Sequence, residues 1–167
     1  STSGSYTVQI TDINGCLSPS SNAIAVTVNP LPPAPTITAN GPTTFCAGGS
    51  VMLSAPLSQS YLWMPGNLTT QDITVNSPGT YTLQITDLNG CVSPVSNSTT
   101  IVVNPIPSAP TINPSGPTTF CQGNSLTLTS SASTGNLWST GATTPSIVVI
   151  ASGTYTVTQT QLGCTSP

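Results

Sequence analysis

Apolar and polar residues alternate with a period of two along several short runs of the chain. Val51, Leu53 and Ala55 mark one face of such a run. Tyr81, Leu83 and Ile85 mark another, with Thr and Gln between them. Successive side chains of a strand point to opposite faces, so the pattern predicts strands buried on one side. Ala25-Val26-Thr27-Val28 and Thr100-Ile101-Val102-Val103 are strand-like as well, and Ile147-Val148-Val149-Ile150 is a fuller apolar run. No stretch carries the 3.6-residue period of an amphipathic helix. Turn-forming pairs separate the runs: Asn14-Gly15, Asn89-Gly90, Pro65-Gly66 and Gly48-Gly49.

The pattern repeats. Gly4-Ser5-Tyr6-Thr7-Val8-Gln9-Ile10-Thr11-Asp12 returns as Gly79-Thr80-Tyr81-Thr82-Leu83-Gln84-Ile85-Thr86-Asp87, and again from Gly153-Thr154-Tyr155 to Gln161. Gly41-Pro42-Thr43-Thr44-Phe45-Cys46 returns as Gly116-Pro117-Thr118-Thr119-Phe120-Cys121. The register is 75 residues from Gly4 to Gly79 and 74 from Gly79 to Gly153. Such a unit is long for a solenoid repeat and suits a small all-β domain of about seven strands.

Proline-rich joints at residues 31–35 and 106–110 occupy equivalent places, and proline density of this kind makes a stiff connector. The expected organisation is therefore the closing strands of one repeat (1–30), a complete repeat (36–105) and a repeat lacking its last strand (111–167). That last strand corresponds to residues 97–104, or 22–29. Neither end is expected to fold alone as a closed sandwich, because an unpaired edge would be exposed.

Composition narrows the function classes. The 167 residues include no Lys, Arg or His and three acidic residues, Asp12, Asp72 and Asp87, for a net charge of −3. Without cations the chain has nothing to neutralise nucleic-acid phosphates, and no nucleic-acid partner is expected. General acid-base catalysis loses its usual carriers, so no enzyme, no catalytic residue and no cofactor are expected. The longest apolar runs are too short to insert in a membrane. A hydrophobic fraction of 36% with small net charge argues against disorder. Ser and Thr make up about a third of the chain, so hydroxyls or attached glycans would hydrate its surface. With no Lys or Arg, trypsin-like proteases find no cleavage site. Both features suit a protein outside a cell. The chain carries no initiator Met and no signal peptide, as expected of a mature product or an excerpt.

The order of motifs is Cys46, Trp63, Gly79-Thr80-Tyr81, Cys91, then Cys121, Trp138, Gly153-Thr154-Tyr155, Cys164. This order resembles an immunoglobulin-like domain, and Gly-x-Tyr is similar to that fold's tyrosine corner. With the joints, Gly-Cys-x-Ser-Pro and Val-x-Val-Asn-Pro, the whole chain resembles the tandem Ig-like (PKD-like) repeats of large surface adhesins secreted by Bacteroidota. The resemblance implies tandem antiparallel β-sandwiches joined by Pro-rich linkers, export to the cell surface or medium, and a spacer or adhesive role. It places Trp63, Trp138, Tyr81 and Tyr155 in structural core positions. One departure stands out: the cysteines lie at strand ends, outside the alternating core positions.

The five cysteines suggest disulfides, with Cys46–Cys91 and Cys121–Cys164 as the natural pairs. Each would stabilise its domain by roughly 3–4 kcal/mol in the chain-entropy model. Two thiols without His make a poor metal site, and no metal is expected. Cys16 is left unpaired or intersubunit. Asp12 and Asp87 lie in Asp-x-Asn-Gly, which echoes part of a calcium loop but is better read as a hairpin turn. Asp72 has Ser146 as its counterpart, which argues against a catalytic carboxylate pair. Tyr61, with Asn136 as its counterpart, is a weak candidate for a surface contact. Asn67-Leu68-Thr69 and Asn97-Ser98-Thr99 fit the N-glycosylation pattern.

Two functions follow. The chain is a subunit or segment of an extracellular fibre or stalk, partnered by itself, either as a covalent array or through a strand donated by residues 22–29. The alternative is an adhesin module that recognises a polysaccharide or a cell surface, which predicts clustered exposed aromatics that the sequence does not display.

Overall fold

The computed structural model describes residues 2–167, and these hold fifteen strands and no helix. They gather into two compact units, one of Ser1–Thr36, Ala55–Gln71 and Thr82–Asn97, the other of Ile37–Ser54, Asp72–Tyr81 and Ser98–Pro167. The strand β1 (Gly4–Tyr6) pairs antiparallel with β2 (Ile24–Val26), with Gly4 opposite Val26.

Seven strands follow: β3 (Thr38–Ala39), β4 (Thr44–Cys46), β5 (Val51–Ser54), β6 (Ser60–Met64), β7 (Asp72–Val75), β8 (Gly79–Thr86) and β9 (Thr99–Asn104). They form two sheets, ordered β3-β5-β7 and β4-β9-β8-β6. All pairings are antiparallel except β4 with β9, which is parallel and sets Cys46 opposite Asn104. The remaining strands are β10 (Ile112–Pro114), β11 (Leu126–Ser130), β12 (Asn136–Trp138), β13 (Ser146–Val149), β14 (Val157–Gln161) and β15 (Cys164–Thr165). They form β10-β11-β13, which repeats the first of these sheets, and β12-β14-β15, which repeats the pairing of β6 with β8 and adds the two-residue strand β15. The fold is all-β, with the strand order of an immunoglobulin-like domain.

Alternation decides what is buried. Val51, Leu53 and Ala55 are inside while Met52, between them, is exposed. Tyr81, Leu83 and Ile85 are likewise inside. The run 147–150 behaves as an alternating strand rather than a fully buried one: Ile147 and Val149 are buried, Val148 and Ile150 are exposed. In the C-terminal region Leu126, Leu128, Ile147 and Val149 of one sheet enclose a core with Trp138 and Val157 of the other. Ile112, Phe120 and Tyr155 pack against its margin.

Candidate functional site

The aromatic positions serve the core. Trp63 and Trp138 are buried, and their indole N–H groups donate to the carbonyls of Thr70 (2.9 Å) and Thr144 (2.8 Å). A buried indole N–H needs such a partner, and both copies find it in the loop after the tryptophan strand. The Tyr81 hydroxyl donates to Ser77 O, and the Tyr155 hydroxyl to Ala151 O, each four residues upstream. This is the tyrosine corner the Gly-x-Tyr motif suggested. Tyr81 is buried and Tyr155 half-buried. The Tyr61 hydroxyl is occupied at home, accepting from Ser58 N–H (2.9 Å) and donating to Ser58 O (3.2 Å). Its counterpart Asn136 is buried, with Nδ2 donating to Ala132 O and Oδ1 unpartnered.

The Asp-x-Asn-Gly segments are turns. Asp87 Oδ1 accepts from Asn89 N–H and Cys91 N–H, both at 2.9 Å, and Asp12 Oδ1 repeats the pattern with Asn14 and Cys16. Each carboxylate caps its own turn. No cluster of three metal-ligating side chains occurs among the described residues. Asn67 and Asn97 are both exposed, as a glycan acceptor must be.

The cysteine pairing differs from the expected one. Cys46 is bonded to Cys164, with Cα atoms 5.6 Å apart, so neither Cys46–Cys91 nor Cys121–Cys164 forms. Cys91, Cys121 and Cys16 are free thiols. The reason lies at the end of the β4–β9 ribbon. Ala47 N–H donates to Asn104 O (2.8 Å), closing the ribbon, and Asn104 Nδ2 donates to Leu162 O (2.9 Å). That bond seats the β14–β15 hairpin against the ribbon end. The hairpin is tight, with Gln161 opposite Cys164 and Leu162 and Gly163 both at positive φ, as a two-residue loop requires. Cys164 follows the loop, is buried, and meets Cys46.

Beside the C-terminal core lies an open groove of about 900 Å³. Its walls include Phe120, Cys121, Gly153 and Tyr155, and its floor includes Leu126 and Val149. The sequence counterparts of the first four are Phe45, Cys46, Gly79 and Tyr81. There, β9 runs between the two walls: Val102–Asn104 pair with Thr44–Cys46, and Thr99–Ile101 pair with Gly79–Tyr81. Residues 119–121 and 153–155 belong to no strand. The groove lies at the place that β9 takes beside Phe45, Cys46, Gly79 and Tyr81, and core side chains form its floor.

One feature escaped the sequence reading. Ser93 and Ser96 are buried, and each replaces a carbonyl in the sheet. Ile85 N–H donates to Ser93 Oγ and Leu83 N–H to Ser96 Oγ, while Ser93 N–H and Ser96 N–H donate back to Ile85 O and Leu83 O. The hydroxyls then donate to Pro94 O and Asn97 O. Ser18 and Ser21 do the same for Ile10 and Val8, and Ser166 for Gln159. The signal was Ser-Pro-x-Ser after Gly-Cys-x in the first two copies.

No protein-family model and no curated protein sequence matches the chain. Among solved structures it is similar to the human OSCAR ligand-binding domain, at 16% identity and a TM-score of 0.39, over 82% of this chain and 95% of that one. A likeness of that degree adds nothing to the strand order already described.

Proposed function

We propose that the chain is a structural segment of an extracellular fibre or stalk built from immunoglobulin-like repeats in series. Its partners are further repeats of its own kind. Its chemistry is inert by composition, since no Lys, Arg, His or Glu is present to move protons. Its charge-poor surface is hydrated by hydroxyls and by glycans, for which Asn67 and Asn97 are exposed acceptors.

The observation that carries this reading is the groove. Its walls are two backbone segments, 119–121 and 153–155, that stand in no sheet, its floor is apolar, and the chain carries the pattern of the strand that pairs their counterparts twice, in β9 and in residues 22–29. Ile24, Val26 and Val28 fall on alternate residues of that second stretch, as a sheet-completing strand requires, and residues 22–29 are exposed throughout. Backbone pairing along an open edge gives affinity, and the alternating side chains fix register. A strand passed from repeat to repeat in one direction makes a contact that does not close, so it builds filaments.

Electron microscopy of native material, with the mass of the reduced and deglycosylated polypeptide, tests the reading. Thin unbranched filaments with a regular axial repeat are expected. Discrete globular particles would overturn it.

A further inference from the structure

The Cys46–Cys164 bond joins two different copies of the sequence repeat. Each repeat carries an early cysteine, after Gly-Pro-Thr-Thr-Phe, and a late cysteine, after a hairpin glycine. The early ones are Cys46 and Cys121; the late ones are Cys16, Cys91 and Cys164. The bond in the structure runs from the early cysteine of one repeat to the late cysteine of the next.

We infer that this is the rule of the assembly: every early cysteine is bonded to the late cysteine of the following repeat, which makes a continuous ladder of cross-repeat disulfides. Cys121 then takes a late cysteine of a following repeat. Cys91 takes an early cysteine of the preceding repeat, and Cys16 one from a repeat further back. This single rule gives each of the three free thiols a partner of defined type in a neighbouring repeat. It also forbids a Cys91–Cys121 bond, which would have the opposite polarity.

Local geometry agrees. Cys121 closes the same turn as Cys46: Asn124 N–H donates to Cys121 O (3.1 Å) as Gly49 N–H does to Cys46 O (2.9 Å). The glycine between them is left-handed in both, Gly123 at φ +94° and Gly48 at +88°. Cys121 is exposed at the wall of the open groove. Cys91 and Cys16 directly follow hairpin glycines, Gly90 and Gly15, as Cys164 follows Gly163. The bonded pair also shows what aligns the sulfurs. Asn104, at the end of β9, holds the next repeat's hairpin through Leu162 O. The strand that fills the groove beside Cys121 would carry the same Asn, as residues 22–29 do at Asn29. Strand completion and disulfide formation are therefore one event, in which the completing strand docks the hairpin that brings the second thiol.

The chemistry is a two-electron oxidation. Two thiols lose two protons and two electrons and form one S–S bond, while the disulfide of a thiol-oxidoreductase oxidant is reduced to a dithiol. The inference rests on the reading that repeats lie in series. Its test separates the two, since linkage can be mapped whether or not filaments are seen.

Native protein is denatured with N-ethylmaleimide at low pH, digested without reduction by pepsin, and its linked peptides are sequenced by mass spectrometry. The expected result is Cys46 linked to Cys164, and Cys121 unalkylated and linked to a peptide with a late-cysteine sequence. A polypeptide that remains much larger than 16.8 kDa after reduction places the following repeat in the same chain. A species of 16.8 kDa would count against the rule, because each copy then holds two early and three late cysteines and Cys91 has no early cysteine in the repeat before it. Cys46–Cys91, Cys121–Cys164 or Cys91–Cys121 peptides, or alkylated Cys121, would overturn it.

Discussion

Residues 4–28 and 79–103 are near-copies of one sequence, and they form the same local structure in two surroundings. Gly4 faces Val26 as Gly79 faces Ile101. The tyrosine corner, the Asp-capped turn and the serine-for-carbonyl bonds recur residue for residue. The surroundings differ completely. Val8 is 64% exposed where its counterpart Leu83 is 1% exposed, and Val26 is 43% exposed where Ile101 is 2%. Hydrogen bonding within a hairpin needs only the hairpin. Burial needs the remaining strands of the repeat, which the second copy has.

Mutation in matched pairs sharpens this contrast. The largest difference is expected in the core: Leu83→Ala should cost about 2–5 kcal/mol, because it removes methyl groups and leaves a cavity. Val8→Ala should stay within about 0.5 kcal/mol, as for exposed positions generally. Denaturant midpoints read both, and equal effects would break the comparison.

Next come the serines. Ser96→Ala leaves the Leu83 N–H buried without an acceptor, at a cost of about 1–3 kcal/mol. Ser21→Ala should cost far less, because water reaches the exposed Val8 amide. Amide hydrogen exchange at residues 83 and 8 would check this, with protection lost by orders of magnitude only at 83.

The smallest effect is also the most symmetrical. Asp87→Ala and Asp12→Ala remove the same two turn hydrogen bonds, so each should cost about 0.5–1.5 kcal/mol with little difference between them. Exchange at Cys91 N–H and Cys16 N–H should quicken alike. A difference of more than a few-fold would mean that the turn, too, depends on its surroundings.

The sequence made some of this plain and hid the rest for physical reasons. Alternation at 51–55 and 81–85 reports local geometry, so strands and buried faces followed from it. Trp63 and Trp138 were readable because the immunoglobulin-like order of motifs places a tryptophan on such a strand in the core. The run 147–150 showed no alternation in sequence because exposed Val148 and Ile150 are as apolar as their buried neighbours. Ser93 and Ser96 were hidden among dozens of surface hydroxyls; only their mutual spacing marked them. The disulfide was the instructive failure. Spacing assigns a cysteine to its repeat, but a cysteine at a strand end points out of that repeat. Its partner is set by Asn104 and the next hairpin, which no single-repeat pattern contains.

The central claim is that the groove walled by residues 119–121 and 153–155 seats a β9-type strand. Titrating the chain with a synthetic peptide of residues 97–105, followed by NMR, tests it most directly. Saturable shifts confined to Phe120, Tyr155 and their neighbours are predicted, abolished when the peptide carries Ile101→Asp. Unperturbed groove resonances, or equal binding of the Asp peptide, would contradict the account.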